Sequence, residues 1–136
     1  MKPKKKFLKA ERLKSRKAIE RLFSGKSPSF AQYPIRLVFR ESEDKGEVPV
    51  QVTISVPKRK FPKAVHRNRI RRQVREAWRL NKHRLYQKLP SDTPGYDFIL
   101  LYVAREPLPY AQIEQAIQVM IRRFLKKQRS ANPPAQ

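Results

Sequence analysis

Alternation of apolar and polar residues predicts strands in the middle of the chain. Every second residue is apolar over residues 34–40 and again over residues 48–56. A period of two is typical of a strand with one buried face. Residues 96–104 are almost entirely apolar, which favours a strand buried on both faces.

Helical spacing predicts three helices. Ser15 can cap a short helix over residues 16–24, which Gly25 would end. A longer helix spans residues 64–87, and a third begins after Pro109 and ends near residue 129. The apolar side of the longer helix carries Ile70, Val74, Ala77, Trp78 and Leu85. Its opposite side carries Asn68, Arg71, Arg72, Arg75, Arg79 and Lys82.

The order of these elements indicates a small α+β domain with helices packed on one sheet. A long helix joins strands 48–56 and 96–104, so these two strands can lie parallel. A chain of 136 residues is typical of one domain. We expect residues 1–14 to form a basic flexible arm, residues 15–129 the folded domain, and residues 130–136 a disordered tail.

Positive charge is concentrated around the longer helix. The chain has 33 Lys and Arg against 11 Asp and Glu, a net charge of +22. Between Lys58 and Arg84 there are twelve basic residues and one acid, Glu76, so this segment carries net +11. Such density implies a polyanionic partner. Nucleic acid, an anionic membrane surface and an acidic protein are the three classes that fit.

The side chains of the basic helix favour RNA among these partners. Arginine outnumbers lysine there, and its planar fork bonds phosphate in two places and stacks on bases. The apolar face of this helix is needed to cover the strands, which disfavours a membrane-surface helix. Flanking strands exclude a helix-turn-helix, and RNA recognition by phosphate contacts and stacking suits a sheet-based domain.

Other sequence features restrict the location and chemistry of the protein. The chain has no cysteine, which excludes disulfides and thiolate metal sites. It shows no signal-peptide pattern, and its longest apolar run, residues 98–104, is too short to span a bilayer. We therefore expect a soluble cytoplasmic protein without membrane contact. His66 and His83 have no obvious acidic partner, so no protein catalytic or metal site is predicted.

The centre of the chain resembles a known family. A strand over residues 52–56 leads to the basic pair Lys58-Arg59, and Arg-Asn-Arg-Ile-Arg-Arg follows at residues 67–72. This arrangement resembles the protein component of bacterial ribonuclease P, and the likeness extends over residues 13–127. Two departures are Phe61-Pro62, where many relatives carry a glycine, and Ile19, where an aromatic residue is common.

The resemblance implies a fold and a function. The fold is αβββαβα, with four strands and a left-handed βαβ crossover; the fourth strand would fall near residues 29–32, where the sequence signal is poor. The function is that of an accessory subunit of a ribonucleoprotein endoribonuclease that removes the 5′ leader of precursor tRNA. The catalytic RNA performs the chemistry with magnesium that it mainly holds itself, and one protein monomer binds one RNA. A basic ribosomal RNA-binding protein without a role in cleavage is the alternative.

Two surfaces are predicted on this basis. The residues expected to bind the catalytic RNA are Lys58, Arg59, Lys63, Arg67, Asn68, Arg69, Arg71, Arg72, Arg75 and Arg79. Phe23, Tyr33 and Phe39 are expected to bind the leader, by analogy with the family. Core packing is the alternative for two of them: it is favoured for Phe39, which alternates with Ile35 and Leu37, and equally weighted for Phe23.

Overall fold

The computed structural model describes residues 7–43, 48–89 and 94–131, without the side chains of the last three. Its strands are β1 (Ser29–Gln32), β2 (Ile35–Glu41), β3 (Val50–Ser55) and β4 (Tyr96–Tyr102). Its helices are α1 (Arg16–Leu22), α2 (Ala64–Tyr86) and α3 (Tyr110–Ala131), preceded by one 3-10 turn, Lys9–Glu11. The predicted α+β class and the order αβββαβα are therefore confirmed.

The four strands form one mixed sheet in the order β1-β2-β4-β3. β1 pairs antiparallel with β2 and β2 pairs antiparallel with β4, whereas β3 pairs parallel with β4. The parallel pair confirms the prediction drawn from the long helix between these strands. The left hand of this crossover stays a prediction.

Helices cover the two faces of the sheet differently. α2 and α3 pack on the face that carries Leu37 and Phe98, and the Phe98 and Phe124 rings meet edge-on with centroids 4.9 Å apart. α1 packs on the other face, where Ala18 and Leu22 cluster with Ile99 of β4. β4 is therefore covered on both sides, as its continuous apolar sequence predicted.

Local chemistry explains the bounds of α1 and β1. The backbone N–H of Ala18 donates to Ser15 Oγ at 3.2 Å, so Ser15 caps the helix as predicted. The helix ends at Leu22, two residues earlier than predicted, and Gly25 then takes a φ of +86°, which is open to glycine. β1 confirms the fourth strand that the family resemblance implied, and its Phe30 ring is buried.

Residues 7–14 belong to the segment expected to be a flexible arm, and they contact the domain. The Lys82 ammonium donates to Glu11 Oε1 at 2.5 Å, and the Tyr86 hydroxyl donates to the same carboxylate. The backbone N–H of Leu13 donates to the carbonyl of Val52 at 2.9 Å. Burial and the Glu11 carboxylate raise the pKa of Tyr86. The ion pair between Glu11 and Lys82 therefore fixes this N-terminal segment to the domain, although its basic composition is typical of a flexible arm.

Lys82 was also predicted on the polar side of α2, and this is wrong. It lies four residues after Trp78, and residues four apart share one side of a helix. Both side chains are buried. At the other end of the chain, α3 continues through residue 131, so the predicted tail does not begin at residue 130. Residues 1–6 of the arm and residues 132–136 of the tail lie outside the described residues.

Candidate nucleic-acid interface

Three exposed arginines form a line along α2, which we call the arginine row: Arg69, Arg72 and Arg75. They are spaced three residues apart, so successive side chains are neighbours on the helix surface. Within the described ranges none of them makes a side-chain hydrogen bond or ion pair. All three side chains are exposed, which the helical spacing predicted for Arg72 and Arg75; Arg69 was not assigned to that side.

Other predicted RNA-binding residues of α2 bond within the protein. Arg67 Nη1 donates to the carbonyls of Phe61 and Pro62, at 2.8 and 2.7 Å. Arg71 Nη1 donates to Asn68 Oδ1 at 3.1 Å. Arg67 lies seven residues before Val74, and Arg71 seven before Trp78, so both begin on the core side of the helix. Their partial burial follows from that spacing, and the placement of Arg71 on the side opposite the core is corrected by it.

Arg79 forms a salt bridge with Glu76 on the same helix. Its Nε and Nη2 donate to the two carboxylate oxygens of Glu76, at 3.0 and 2.5 Å. This paired hydrogen bond lowers the pKa of the Glu76 carboxyl. Arg79 therefore already holds a carboxylate in the geometry that it would offer to a phosphate. The structure thus separates Arg79 from the arginine row, although the sequence placed them together.

The connection over residues 57–63, which we call the basic loop, leads into α2. Lys58, Arg59 and Lys63 are exposed on it. Phe61 is buried and meets Tyr102 edge-on at 5.8 Å between ring centroids. α2 then starts without an acidic residue in its first turn and without a side-chain cap. The positive end of the helix dipole is therefore not offset locally and adds to the loop cations.

The three aromatic residues predicted to bind the leader occupy different environments. Phe23 and Tyr33 are 54% and 55% exposed. Phe39 is 7% exposed and packs against Phe124 with ring centroids 5.0 Å apart. The assignment of Phe39 to leader binding is corrected by this burial, because its alternation with Ile35 directs it into the core.

A half-exposed polar surface lies beside α1, on the sheet face that carries Arg36, Val38 and Arg40; we call it the α1 face. Arg36 Nη1 donates to Ser29 Oγ at 3.0 Å across the β1–β2 pair. The sequence-based site left out Arg36 and Arg40. The signal was present, since both alternate with the buried residues of β2.

Phe23 and Tyr33 lie near opposite ends of the β1–β2 pair. The Ser27 hydroxyl donates to the carbonyl of Arg21 at 3.2 Å, which holds the end of α1 near the start of β1. That start pairs with the second half of β2, since Ser29 is opposite Val38. Tyr33 lies in the turn at the other end, before β2 begins. The two exposed residues therefore lie beyond opposite ends of the β1–β2 pair.

Groups that could hold a metal ion are not assembled in the described ranges, where no three His, Asp or Glu side chains come together. His66 is exposed, and His83 is half-buried with a buried Nδ1 that has no hydrogen-bond partner there. Among the described segments, no helix has both the length and the apolar character needed to cross a membrane.

Comparison with known proteins gives a consistent result. The family model described as Ribonuclease P matches residues 7–125. The chain is 39% identical over 111 residues to the ribonuclease P protein component of Porphyromonas gingivalis, which covers 81% of this chain and 80% of the relative. It is 37% identical over 98 residues to that of Chlorobaculum tepidum, which covers 68% of this chain and 64% of the relative.

Two solved structures share the fold. The RNase P protein of Staphylococcus aureus superposes with a TM-score of 0.64 at 22% identity, over 85% of this chain and 96% of that one. The RNase P protein of Thermotoga maritima gives 0.63 at 22% identity, over 83% and 96%. The family match, the curated relatives and the α+β architecture agree. The chain belongs to the Ribonuclease P protein family, the protein components that partner the ribonuclease P RNA in the tRNA-processing endoribonuclease.

Proposed function

We propose that this chain binds the catalytic RNA of ribonuclease P through the arginine row and the basic loop, and the 5′ leader of precursor tRNA along the α1 face. The observation that carries the first part is the arginine row itself. Its three guanidinium groups are exposed on one line and bond to nothing in the described protein. Phosphate oxygens of RNA are the partners that such forks fit.

The start of α2 supports the same assignment. Lys58, Arg59 and Lys63 lie close in sequence to a helix end that already carries partial positive charge. Repulsion among these like charges raises the free energy of the protein when no anion is bound. A phosphate at this position relieves the repulsion and accepts from backbone N–H groups of the first turn. The unfavourable charge arrangement is therefore consistent with a polyanion that is present when the protein works.

The α1 face suits a single strand. Phe23 and Tyr33 each offer an exposed ring on which a base can stack without sequence preference. Arg36 and Arg40 lie between them on β2 and can contact the backbone phosphates. A strand that passes along this face would meet two stacking positions and two cations. Since mature tRNA lacks the leader, these contacts discriminate precursor from product.

The remaining parts of the proposal concern the chemistry and the assembly. The RNA performs the cleavage with magnesium that it mainly holds, and the protein supplies no catalytic residue. One protein monomer binds one RNA, in the cytoplasm. Support comes from the side chains, because the exposed groups of both surfaces are cations and aromatic rings, which bind RNA but do not activate water.

Reconstitution tests the proposed function. The protein is added to a bacterial ribonuclease P RNA at a magnesium concentration at which the RNA alone is slow, and leader removal is measured. We expect the complex to cleave precursor tRNA faster than the RNA alone, and the protein alone not to cleave, because the protein adds contacts and neutralises phosphates.

The same assay separates the rival function. A ribosomal RNA-binding protein would leave the cleavage rate unchanged and would bind ribosomal RNA more tightly than ribonuclease P RNA. Cleavage by the protein without RNA would contradict an accessory role. An excess of a polyamine in place of the protein serves as the control for charge neutralisation alone.

A further inference from the structure

The basic loop is fixed to the domain at three points. The Phe61 ring is buried against Tyr102. The Lys60 ammonium donates to the carbonyl of Val103 at 2.9 Å, beyond the end of β4. Arg67 Nη1 bonds the carbonyls of both Phe61 and Pro62. Two of these points involve the Phe61-Pro62 pair.

Arg67 supplies hydrogen-bond donors to carbonyl groups at the end of the basic loop. At the beginning of the loop, the N–H groups of Lys60 and Phe61 donate to the carbonyl of Pro57, at 3.2 and 3.1 Å, and close a turn. At its end, Pro62 has no N–H, and the carbonyls of Phe61 and Pro62 both accept from Arg67. A charged donor to two carbonyls is a strong restraint on the backbone.

These bonds leave Arg67 unsuited to a direct phosphate contact. Its Nη1 is occupied twice and its side chain is half-buried, whereas Arg69 is exposed and has no partner in the described ranges. The side-chain oxygen of Asn68 is likewise occupied by Arg71. Of the Arg-Asn-Arg triplet, only Arg69 presents its whole fork to solvent.

We infer that Arg67 is a positioning residue, which holds the basic loop so that Lys58 and Arg59 meet RNA phosphates in a fixed arrangement. This inference rests on the proposed function, since it assumes that the loop contacts RNA. Arg67 acts through the loop backbone, and its own charge contributes little to the RNA contact. A loop that is already ordered loses less conformational entropy when RNA binds.

A double-mutant cycle on RNA affinity tests the inference. Arg67→Ala and Arg59→Ala are measured singly and together, and Arg69→Ala with Arg59→Ala is the matched control. If Arg67 orders the loop, Arg59→Ala loses most of its effect in the Arg67→Ala background, and the pair deviates from additivity by about threefold or more in Kd. The control pair is additive, and Arg69→Ala lowers the salt slope by about 0.7–0.9, the value for one neutralised phosphate.

Hydrogen exchange in the free protein gives a readout without RNA. We expect faster amide exchange at residues 58–61 and 63 in Arg67→Ala and no change in Arg69→Ala, since only the first variant releases the loop carbonyls. Thermal unfolding checks that each variant is folded. Arg67→Gln, which keeps one shorter donor, replaces Arg67→Ala if the latter does not fold.

The outcomes separate this inference from the proposed function. Additive effects of Arg67→Ala and Arg59→Ala, with unchanged loop exchange, would show that Arg67 contacts RNA directly, and the inference fails alone. If Arg69→Ala, Arg59→Ala and Arg67→Ala all leave RNA affinity unchanged, the proposed RNA surface on α2 fails and the inference fails with it.

Discussion

Phe23 and Phe39 differ in what their rings touch. Phe23 follows the last residue of α1, and more than half of its surface is exposed. Phe39 lies on the inner face of β2 and meets Phe30, Phe98 and Phe124 edge-on. A ring surrounded by other rings stabilises the fold, whereas an exposed ring is available for stacking. The two residues therefore predict different measurements.

Phe23→Ala should weaken binding of precursor tRNA to the complex and leave mature tRNA unaffected. Stacking of one base on an aromatic ring is worth about 1–3 kcal/mol, and only the precursor has a leader to stack. The free energy of unfolding should change by less than about 1 kcal/mol, since the ring is largely exposed. Affinities of both tRNAs for the reconstituted complex, together with denaturant unfolding of the free protein, measure these effects.

Phe39→Ala is the control for this prediction, and Tyr33→Ala tests the other proposed stacking position. Phe39→Ala should lower the free energy of unfolding by about 3–5 kcal/mol, as removal of a buried aromatic ring does. Tyr33→Ala should resemble Phe23→Ala only if the leader reaches the other end of the α1 face. Equal weakening of precursor and mature tRNA by Phe23→Ala would show that Phe23 contacts something other than the leader.

At the scale of elements, the sequence predicted those with a repeating apolar pattern. It did not predict the segment that is ordered by contacts with residues distant in the chain. The strands β2, β3 and β4 and the helix α2 lie within two residues of their predicted bounds, because each repeats its pattern several times. β1 has four residues and a single buried one, so it carries too few repeats to detect. The 3-10 turn at Lys9–Glu11 is ordered by a carboxylate that meets a lysine 71 residues away.

Glu11→Gln should destabilise the protein far more than a surface substitution does. The change leaves the buried Lys82 ammonium without its carboxylate partner, and removing one member of a buried ion pair costs about 3–5 kcal/mol. Denaturant unfolding measures this decrease in stability. Faster proteolysis after Lys9, Arg12 or Lys14 would show that the segment has been released.

The matched control is Glu20→Gln, which removes the same charge from an exposed position on α1. Its effect should stay within about 0.5 kcal/mol. The double variant Glu11→Gln with Lys82→Met should recover stability, because it also removes the buried lysine charge. If Glu11→Gln costs no more than Glu20→Gln, the ion pair does not hold the N-terminal segment.

Across the whole molecule, which has a net charge of +22, the cationic side chains fall into two groups: those that bond within the protein and those that face solvent. Lys82, Arg67 and Arg79 bond to groups of the protein, whereas the arginine row faces solvent. The sequence gives the total charge, and its helical spacing placed Arg72 and Arg75, but not Arg69, on the side of α2 opposite the core. It could not separate the two groups, because Arg67 and Arg69 are equivalent by composition and differ only in what lies opposite them in the fold.

Removal of three cations should therefore change the thermal stability of the free protein wherever they lie, but should change RNA affinity only where they contact RNA. The row variant is Arg69→Gln, Arg72→Gln and Arg75→Gln; the control variant is Arg105→Gln, Arg122→Gln and Lys126→Gln, also exposed. Both lower the net charge by three, so both should raise the thermal stability of the free protein and weaken its dependence on salt, because self-repulsion is a property of the total charge. Glutamine and arginine have similar helix propensities, so the backbone adds little difference.

RNA affinity should distinguish the two variants. Only the row variant is expected to lower the slope of log affinity against log salt, by about 0.7–0.9 for each phosphate that the protein no longer neutralises, because counterions are released only where a cation meets a phosphate. Titration of ribonuclease P RNA at several salt concentrations measures the slope, and melting of the free proteins measures stability. Equal slopes for both variants would mean that RNA senses the overall field of the molecule and that the arginine row is not a specific interface. A row variant that melts lower than the control would instead show that these arginines hold the fold, which their exposed positions on α2 argue against.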